Sequence, residues 1–327
     1  KLIYTFTGAA YYDDKYQKLA FEDFQDEPLA HEYVGGWVAM LQHYFLSSWV
    51  ANPEENDGYY SKVIPGSMGK AQQYLVGMRS DQMQIMPGET KQFETRLFVG
   101  PKLQNRLEEI SPGLELTADY GIFTVLSKPL FWLLSLIHDL IGNWGWAIIF
   151  LTITVKAVFY KLSEMSYRSM AKMRKVAPRI KQMKERYGDD RQGMSKAMMD
   201  MYKREKINPM GGCFPILVQM PVFIALYWVL LESVEMRYAP FILWIDNLSA
   251  RDPYFILPVI MGVSMWIQQK LNPAPVDPVQ QKIFQYMPFV FTVMFAFFPS
   301  GLVLYWVVNN ILSIAQQYVI TRRIERE

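Results

Sequence analysis

Residues 145–162 read GWAIIFLTITVKAVFYKL, an almost entirely apolar stretch with one cation, Lys156, embedded in it and a second, Lys161, at its end. A helix of about 20 apolar residues crosses the hydrocarbon core of a bilayer, so this stretch predicts a short membrane span. A lysine within a span costs about 2.5–3.5 kcal/mol on insertion scales. We therefore expect Lys156 to face protein, water or a binding partner, or to extend along its helix toward the interface.

The composition divides the chain into a polar half and an apolar half. Hydrophobic residues make up 51% of the 327 residues and aromatic residues 15%, while the formal net charge is only +2. Most of the apolar weight lies in the second half, which indicates a soluble domain followed by a membrane domain. The single cysteine, Cys213, excludes an intrachain disulfide framework and is interpreted as a small buried residue.

Residues 1–118 carry the signature of a β-sandwich-like domain. The segments 2–8, 74–80, 83–87 and 91–99 are rich in β-branched or aromatic residues and are interrupted by turn residues. The segment 37–50 suits either buried strand or short helix, and Pro101 opens a short helical run. Because the chain begins inside what resembles a strand, we expect that the domain lacks its N-terminal part and that any targeting segment lies upstream.

Residues 119–143 are predicted to form an amphipathic helix at the membrane interface. Ser127 is a plausible N-cap, Pro129 suits an early helical position, and Gly142-Asn143 is a stop signal. The apolar run of about 13 residues is too short to span and suits the headgroup region. A buried helix of the β domain is the alternative.

The membrane core is predicted to occupy residues 144–320. Four further apolar stretches follow the opening one, at Gly212–Leu231, Tyr254–Gln269, Ile283–Phe298 and Leu302–Ile320. The last two are separated only by the turn at Pro299-Ser300-Gly301. The sequence therefore predicts five spans in this part of the chain.

Loop charges predict the orientation of the spans. Between Lys161 and Lys206 there are 14 Lys or Arg against 6 Asp or Glu, and loops of this kind stay in the cytoplasm. The tail at 321–327 carries three arginines and returns to the same side. The β domain must then be exported, which requires an upstream anchor and six spans in all.

The cytoplasmic segment 163–206 reads as a helical hairpin. Its two helices, 163–187 and 191–206, flank a Gly-Asp-Asp turn, and Pro178 is expected to kink or break the first. A methionine stripe that includes Met170, Met173 and Met198 recurs at three- and four-residue steps. Either this stripe only packs the two helices against each other, or it binds varied apolar partners. The basic exterior, including Arg174 and Lys175, suits anionic lipid or ribosomal RNA equally.

Polar side chains recur within the predicted spans. Thr152 lies one turn from Lys156 on the same helical face, and Asn309 and Ser313 share a face of the last span. Gln219 lies within another apolar stretch. Such residues often serve only to hydrogen-bond neighbouring helices to one another. Together with an embedded cation, however, they predict a hydrated groove. Since no acid lies inside a span apart from the edge residue Glu232, the negative partner of Lys156 is expected to arrive with the substrate.

Several long motifs resemble the Oxa/YidC membrane insertases. They are SMAKMRKVAPRIKQMKERYGDD at 169–190, KINPMGGCFPILVQMPVFIALYWVL at 206–230, LWIDNLSARDPYFILPVIMG at 243–262, FPSGLVLYWVVNN at 298–310 and GGWVAMLQHYFLSSWV at 35–50. The resemblance implies an α-helical polytopic membrane protein with a five-helix insertase core and an N-terminal periplasmic β-sandwich, as in the bacterial branch. It implies insertion of nascent membrane proteins into the bacterial inner membrane, alone or beside the Sec translocon.

The resemblance also implies roles for particular residues. The family's groove carries one cation, usually arginine, and Lys156 occupies that place, which keeps the charge but changes its geometry. Thr152 and the pair Tyr305-Trp306 match positions that line the groove or touch the client. The cytoplasmic hairpin, with the loop at 272–281, is expected to approach the ribosome.

The sequence carries no catalytic set, so we expect no enzyme activity. His31 and His43 are isolated and show no metal-ligand spacing, so no bound metal is expected. There is no GxxxxGK[ST] motif, and no cofactor is expected. DNA is not a predicted partner. Two alternatives to insertion remain, namely a small-anion transporter or channel that uses the same groove, and a chaperone that folds membrane proteins without inserting them.

Overall fold

The computed structural model describes residues 5–66, 71–188, 190–205, 214–272 and 278–326. The chain forms two compact units. The first comprises the chain up to Asp119 together with Glu232–Glu235, and the second comprises Tyr120–Leu231 and the chain from Met236 onward.

The first unit consists of two antiparallel sheets and two short helices. The strands are β1 (Gly8–Tyr12), β2 (Tyr16–Ala20), β3 (Ala30–Val34), β4 (Trp37–Leu41), β5 (Phe45–Val50), β6 (Asn56–Ile64), β7 (Gln73–Ser80) and β8 (Arg96–Pro101), and the helices are α1 (Asp23–Asp26) and α2 (Gln104–Ile110). One sheet has the strand order β2-β1-β4-β5-β8, and the other has the order β3-β6-β7. This arrangement confirms the predicted strand-rich N-terminal domain.

Strand β4 explains how the larger sheet is buried on both faces. Trp37, Ala39 and Leu41 pack on one side into a cluster with Leu107 of α2. The alternate residue Val38 packs on the other side into a cluster that includes Tyr59 of the smaller sheet. Because successive side chains of a strand point to opposite faces, this alternation makes a sandwich with the second sheet on one face and α2 on the other.

Some strand predictions in the first unit were wrong in extent. The segment 37–50 is not helical but forms the hairpin of β4 and β5. Residues 83–87, predicted as a strand, are irregular and exposed, and the strand predicted over 91–99 begins only at Arg96. Of the strand predicted over 2–8, residues 2–4 lie outside the described residues, and of the rest only Gly8 belongs to a strand.

The second unit is helical. Its helices are α3 (Thr124–Ile141), α4 (Trp144–Val158), α5 (Tyr160–Tyr187), α6 (Arg191–Arg204), α7 (Phe214–Glu232), α8 (Ile256–Leu271), α9 (Pro278–Phe295) and α10 (Ser300–Arg326). Helix α10 packs against α4, α5 and α8, and α8 packs against α9. The apolar core lies among these helices and includes Ile148, Leu226, Met261 and Val303, each at most 1% exposed.

Helix α3 is longer than the sequence indicated. It begins at Thr124, so Ser127 is not its N-cap but a buried residue inside the helix, whose hydroxyl donates to the Ala225 carbonyl. The predicted stop is confirmed, because Gly142 ends α3 with φ +73° and Asn143 caps α4 by accepting from the Trp146 amide. With the turn before it, the helix covers Gly121–Ile141, so its length no longer argues against spanning.

The stretch 145–162 is not one straight helix. Helix α4 ends at Val158, and α5 starts at Tyr160 at an angle of 67° to it. The predicted single helix through Leu162 is therefore wrong at its C-terminal end, whereas the membrane span itself stays a prediction. The bend places Lys156 in the last turn of α4, next to the start of α5.

The other four predicted spans correspond to α7, α8, α9 and α10, although α8 begins only at Ile256 and α9 ends already at Phe295. Helix α5 continues through Pro178 without a break. Among the described helices, only Gly121–Ile141 meets both the length and the apolarity of a bilayer-crossing helix, and the bent pair of α4 and α5 could form a second crossing. The number of spans stays a prediction. Residues 206–213 and most of the predicted 272–281 loop lie outside the described residues.

Candidate functional site

A cavity of about 230 Å³ opens between α4, α7 and α10. It is lined by Val155, Lys156, Phe159, Gln219, Met220, Val222, Phe223, Tyr305, Trp306 and Asn309. We call this cavity the groove. Its walls are mostly apolar or aromatic, and a few polar groups lie among them, which is the usual composition of a ligand-binding cleft.

The ammonium group of Lys156 is held inside the protein. Its Nζ donates to the Ser313 hydroxyl oxygen at 2.8 Å, and that hydroxyl donates in turn to the Asn309 carbonyl at 2.7 Å. Ser313 is 4% exposed. The hydroxyl of Tyr167 on α5 donates to the Ser313 carbonyl at 3.4 Å, so α4, α5 and α10 meet at this residue. Lys156 therefore does not extend into bulk water.

The groove has a cation and no anion among its described lining residues. No Asp or Glu lines it, and no ion pair joins Lys156 to a carboxylate in the described parts of the chain. Ser313 satisfies one of the three ammonium protons without neutralising the charge. The site can thus accept a carboxylate, or another electron-rich group, at low cost to the rest of the fold.

Helix α7 supplies the facing wall. The Gln219 amide nitrogen donates to the Ser163 hydroxyl at 3.1 Å, which fixes the start of α5 beside α7. One turn further along α7, the Phe223 ring contacts Tyr305 and meets Trp306 edge-on, with ring centroids 5.4 and 4.4 Å apart. The indole nitrogen of Trp306 is buried and has no hydrogen-bond partner among the described residues.

The structure brings most of the predicted groove residues together. Lys156, Gln219, Tyr305, Trp306 and Asn309 all line the cavity, and Ser313 lies directly behind it through its bond to Lys156.

Thr152 is placed differently from these residues. It is 2% exposed, its hydroxyl donates to the Ile148 carbonyl within α4, and it is not a lining residue. Sequence reasoning missed Phe159 and Phe223, although each lies three or four residues from a polar residue already singled out, Lys156 or Gln219.

A neighbouring face of α10 binds α8. The Asn310 amide nitrogen donates to the Ser264 hydroxyl at 3.1 Å, and both residues are at least 94% buried. Further along, the Gln317 amide nitrogen donates to the Leu271 carbonyl and to the Asn272 side chain, each at 3.1 Å. These bonds fix how α10 is rotated, and so they determine which of its residues face the groove.

The predicted hairpin residues divide into two groups. Met173 and Met198 come together around Val176 and Ile180, with Met201 and Tyr202 beside them. Burial raises the pKa of the Tyr202 phenol in this cluster. Arg174 and Lys175 are exposed, and Met170 is half-buried outside the cluster.

The described residues contain no cluster of three or more side chains able to hold a metal ion. The groups that line the groove are suited to recognition. A fixed cation, Lys156, and the side-chain amides of Gln219 and Asn309 lie between apolar helices and can bind a polar chain segment. The fold and the groove together define a helical membrane protein with a cationic cleft and a β-sandwich domain.

Comparison with known families identifies this class. Residues 136–327 match the family model described as 60Kd inner membrane protein, and residues 1–133 match the YidC periplasmic domain. The first match covers more than half of the chain, so the chain belongs to the 60Kd inner membrane protein family. The resemblance stated from the motifs is confirmed.

Individual relatives agree with the family match. The chain is 61% identical to a membrane protein insertase YidC of Thioalkalivibrio sulfidiphilus over 99% of its length and 58% of the relative's. It is 56% identical to that of Methylococcus capsulatus, over 100% of the chain and 59% of the relative. The chain thus spans a little under three-fifths of the length of these relatives.

A solved structure supports the fold. The crystal structure of an active YidC insertase with its first transmembrane domain resolved matches with a TM-score of 0.52 at 21% identity. The match covers 95% of this chain and 83% of that one. The combination of a β-sandwich unit and a helical unit is therefore shared.

Proposed function

We propose that this protein inserts newly made membrane proteins into the bilayer through the groove, and that Lys156 attracts an acidic segment of the client. The observation that carries the proposal is the cation itself. It lies inside an apolar helical core, holds only a neutral hydrogen-bond partner and faces a lined cavity. The names of the relatives and the family match support the same reading.

The groove lowers the barrier that the polar end of a client must cross. An isolated charge in hydrocarbon is expensive, whereas a charge that meets an opposite charge and hydrogen-bond donors is much less so. Lys156, Gln219 and Asn309 supply such groups part of the way across. The client's apolar helix then moves into lipid and gains about 25 cal/mol for each Å² of apolar surface removed from water. No covalent step is required.

The surroundings of the groove are part of the proposal. We place the protein in the bacterial inner membrane as a multi-pass protein, with residues 1–118 periplasmic, 119–143 at the interface and 144–320 as the core. The hairpin at 163–206 and the tail at 321–327 face the cytoplasm because of their positive charge. Nascent chains on ribosomes, the Sec translocon and anionic lipid are the proposed partners.

The first test varies the charge in the groove. Lys156→Ala, Lys156→Arg and Lys156→Glu are reconstituted in proteoliposomes, and insertion of a client with an acidic N-terminal tail is measured by protease protection. We expect Lys156→Arg to retain insertion activity, Lys156→Ala to lose most of it and Lys156→Glu to lose more. The reason is that the client is attracted by the positive charge. Lys161→Ala is the matched control, since Lys161 is 89% exposed on α5.

Equal insertion by all three groove variants would contradict the attraction step. If the reconstituted parent protein promotes folding of the client but never inserts it, the protein acts as a folding chaperone instead. Flux of a small anion through empty vesicles, abolished in Lys156→Ala, would favour a channel.

The second test locates the client. A photo-crosslinking residue at Trp306, which lines the groove, should capture a stalled membrane-protein chain on ribosomes. The same residue at Ile311, 51% exposed on the same helix and outside the groove, is the control for lipid-facing contact. Stronger capture at Ile311 than at Trp306 would place the client's path outside the groove.

A further inference from the structure

The hairpin encloses a second and larger cavity of about 880 Å³ between α5 and α6. It is lined by Arg179, Gln182, Met183, Arg186, Tyr187, Gly193, Lys196, Ala197, Asp200, Met201, Arg204 and Glu205. We call it the hairpin cleft. From Gly193 near the turn to Glu205 at the base it follows α6 for about 18 Å, at 1.5 Å per residue. This length matches about three turns of a third helix.

The floor of the hairpin cleft is apolar. Met183, Ala197 and Met201 line it and are only half-buried, although the cluster of Val176 and Ile180 lies beside them. Methionine is flexible and polarisable, and surfaces that receive varied apolar helices use it often. Two antiparallel helices alone leave this floor partly open, so a third element would bury surface that the hairpin itself does not cover.

The rim of the hairpin cleft is charged unevenly. At the base, Arg179 and Glu205 form an ion pair at 2.5 Å. Along α6, the cations Lys196 and Arg204 lie one turn before and one turn after Asp200. Near the turn, Arg186 of α5 adds a cation with no described carboxylate bound to it. Among the lining residues the excess positive charge therefore lies on the half of the cleft nearer the turn, where the Asp190 carboxylate is engaged in capping α6 through the Gly193 amide.

We infer that the hairpin cleft binds an amphipathic helix of a partner protein, with its apolar face on the methionine floor and its acidic residues beside Arg186 and Lys196. This inference does not depend on the groove. A polyanion such as RNA or a phospholipid headgroup would use the cations but would leave the apolar floor unused. It would also meet the carboxylates of Asp200 and Glu205. An amphipathic helix with an acidic flank would bury its apolar face on the floor and place its carboxylates beside the cations of the rim.

The test uses the full chain in nanodiscs of neutral lipid and a fluorescent 16-residue peptide. The peptide carries leucine at i, i+3, i+4 and i+7 steps and glutamate along one flank. Binding is measured by anisotropy at low and high salt. For the double variant Arg186→Glu and Lys196→Glu we expect at least tenfold weaker binding, because two attractions become repulsions. Arg174→Glu is the matched control, because Arg174 is exposed on α5 outside the cleft.

Reversing the charges of the peptide gives the decisive measurement, because the expected result is a gain of binding and not a loss. A peptide with lysine in place of glutamate should bind the double variant better than it binds the parent. Circular dichroism of both proteins checks that the helices persist. Equal binding of both peptides by both proteins would overturn the inference. Binding of an RNA oligonucleotide or of anionic vesicles that falls in the double variant, while peptide binding does not, would also overturn it.

Discussion

The hydrogen bond between Ser264 of α8 and Asn310 of α10 gives the sharpest test of how the groove is held. Both side chains are at least 94% buried, and the bond is 3.1 Å long. Because Asn310 follows Asn309 directly and lies one turn after Trp306 on α10, this bond fixes the rotation that presents both of those residues to the cavity. We perturb it with Ser264→Ala, Asn310→Leu and the double variant.

The structure predicts unequal costs for the two single variants. Ser264→Ala leaves the Asn310 amide buried without its acceptor, and an unsatisfied buried donor costs about 1–3 kcal/mol. In Asn310→Leu the Ser264 hydroxyl still donates to the Met261 carbonyl at 2.7 Å, so no polar group on α8 is stranded. The coupling between the two sites should be about 0.6 kcal/mol and at most about 1.7 kcal/mol, the range for interhelical hydrogen bonds in membranes.

The free energy of unfolding is measured by SDS titration in mixed micelles, followed by tryptophan fluorescence. Thr154→Val is the control for a bond within one helix, because in the described part of the chain the exposed Thr154 hydroxyl donates to the Phe150 carbonyl of α4. We expect the control to cost less than either interhelical variant. Strictly additive single effects, or a control as costly as Ser264→Ala, would refute the view that this bond joins α8 to α10.

Three further predictions follow from the structure. Gly262→Ala should destabilise the protein by about 1–3 kcal/mol, because the added methyl group overlaps the Thr292 hydroxyl. Adding Thr292→Ala should restore stability, because it removes that hydroxyl. Thermal unfolding in detergent measures the stability of both variants. Burial raises the pKa of the Glu235 carboxyl to about 7, so the folded chain holds a proton that the unfolded chain releases above about pH 4.5. Stability should therefore rise by up to about 3 kcal/mol as the pH falls from about 7 to about 4.5, and Glu235→Gln should flatten this dependence in melts across that range; an unchanged slope would contradict the assignment. Ser313→Ala removes the acceptor that holds the Lys156 ammonium, so insertion of an acidic client should fall several-fold while insertion of a neutral client is unaffected; an equal loss for both clients would indicate a general folding defect.

Helices and strands could be predicted well from the sequence where one face of the element is polar, and poorly where both of its faces are buried. The segment 37–50 was ambiguous between strand and helix because Trp37 and Val38 point into different apolar clusters, which removes the usual alternation. Ser127 looked like an N-cap because it precedes Lys128-Pro129. Its hydroxyl instead finds a partner on α7, 98 residues away, which no local pattern reveals.

The bend after Val158 was also invisible in the sequence. The stretch 145–162 contains no proline and no glycine after Gly145, so its sequence holds no stop signal near Val158. The bend coincides with long-range contacts, from Ser163 to Gln219 and from Tyr167 to Ser313, which orient α5 away from the axis of α4. These partners are 56 and 146 residues apart, beyond the reach of pattern reasoning.

The groove could be predicted in composition but not in contacts. Lys156, Asn309 and Ser313 stood out because polar residues are rare in apolar helices, and the helical period placed the last two on one face. Nothing in the sequence showed that Lys156 binds Ser313 directly, or that Thr152 satisfies its hydroxyl within its own helix. Those facts depend on which helices become neighbours.

Exchanging the charges of the groove and the client tests the central claim most directly. Two clients that differ only in an acidic or a lysine-containing tail are inserted by the parent protein and by Lys156→Glu, under a membrane potential of zero. We predict that the parent prefers the acidic client and that Lys156→Glu reverses the preference. The same order of preference in both proteins would contradict the claim that Lys156 recognises the client by its charge.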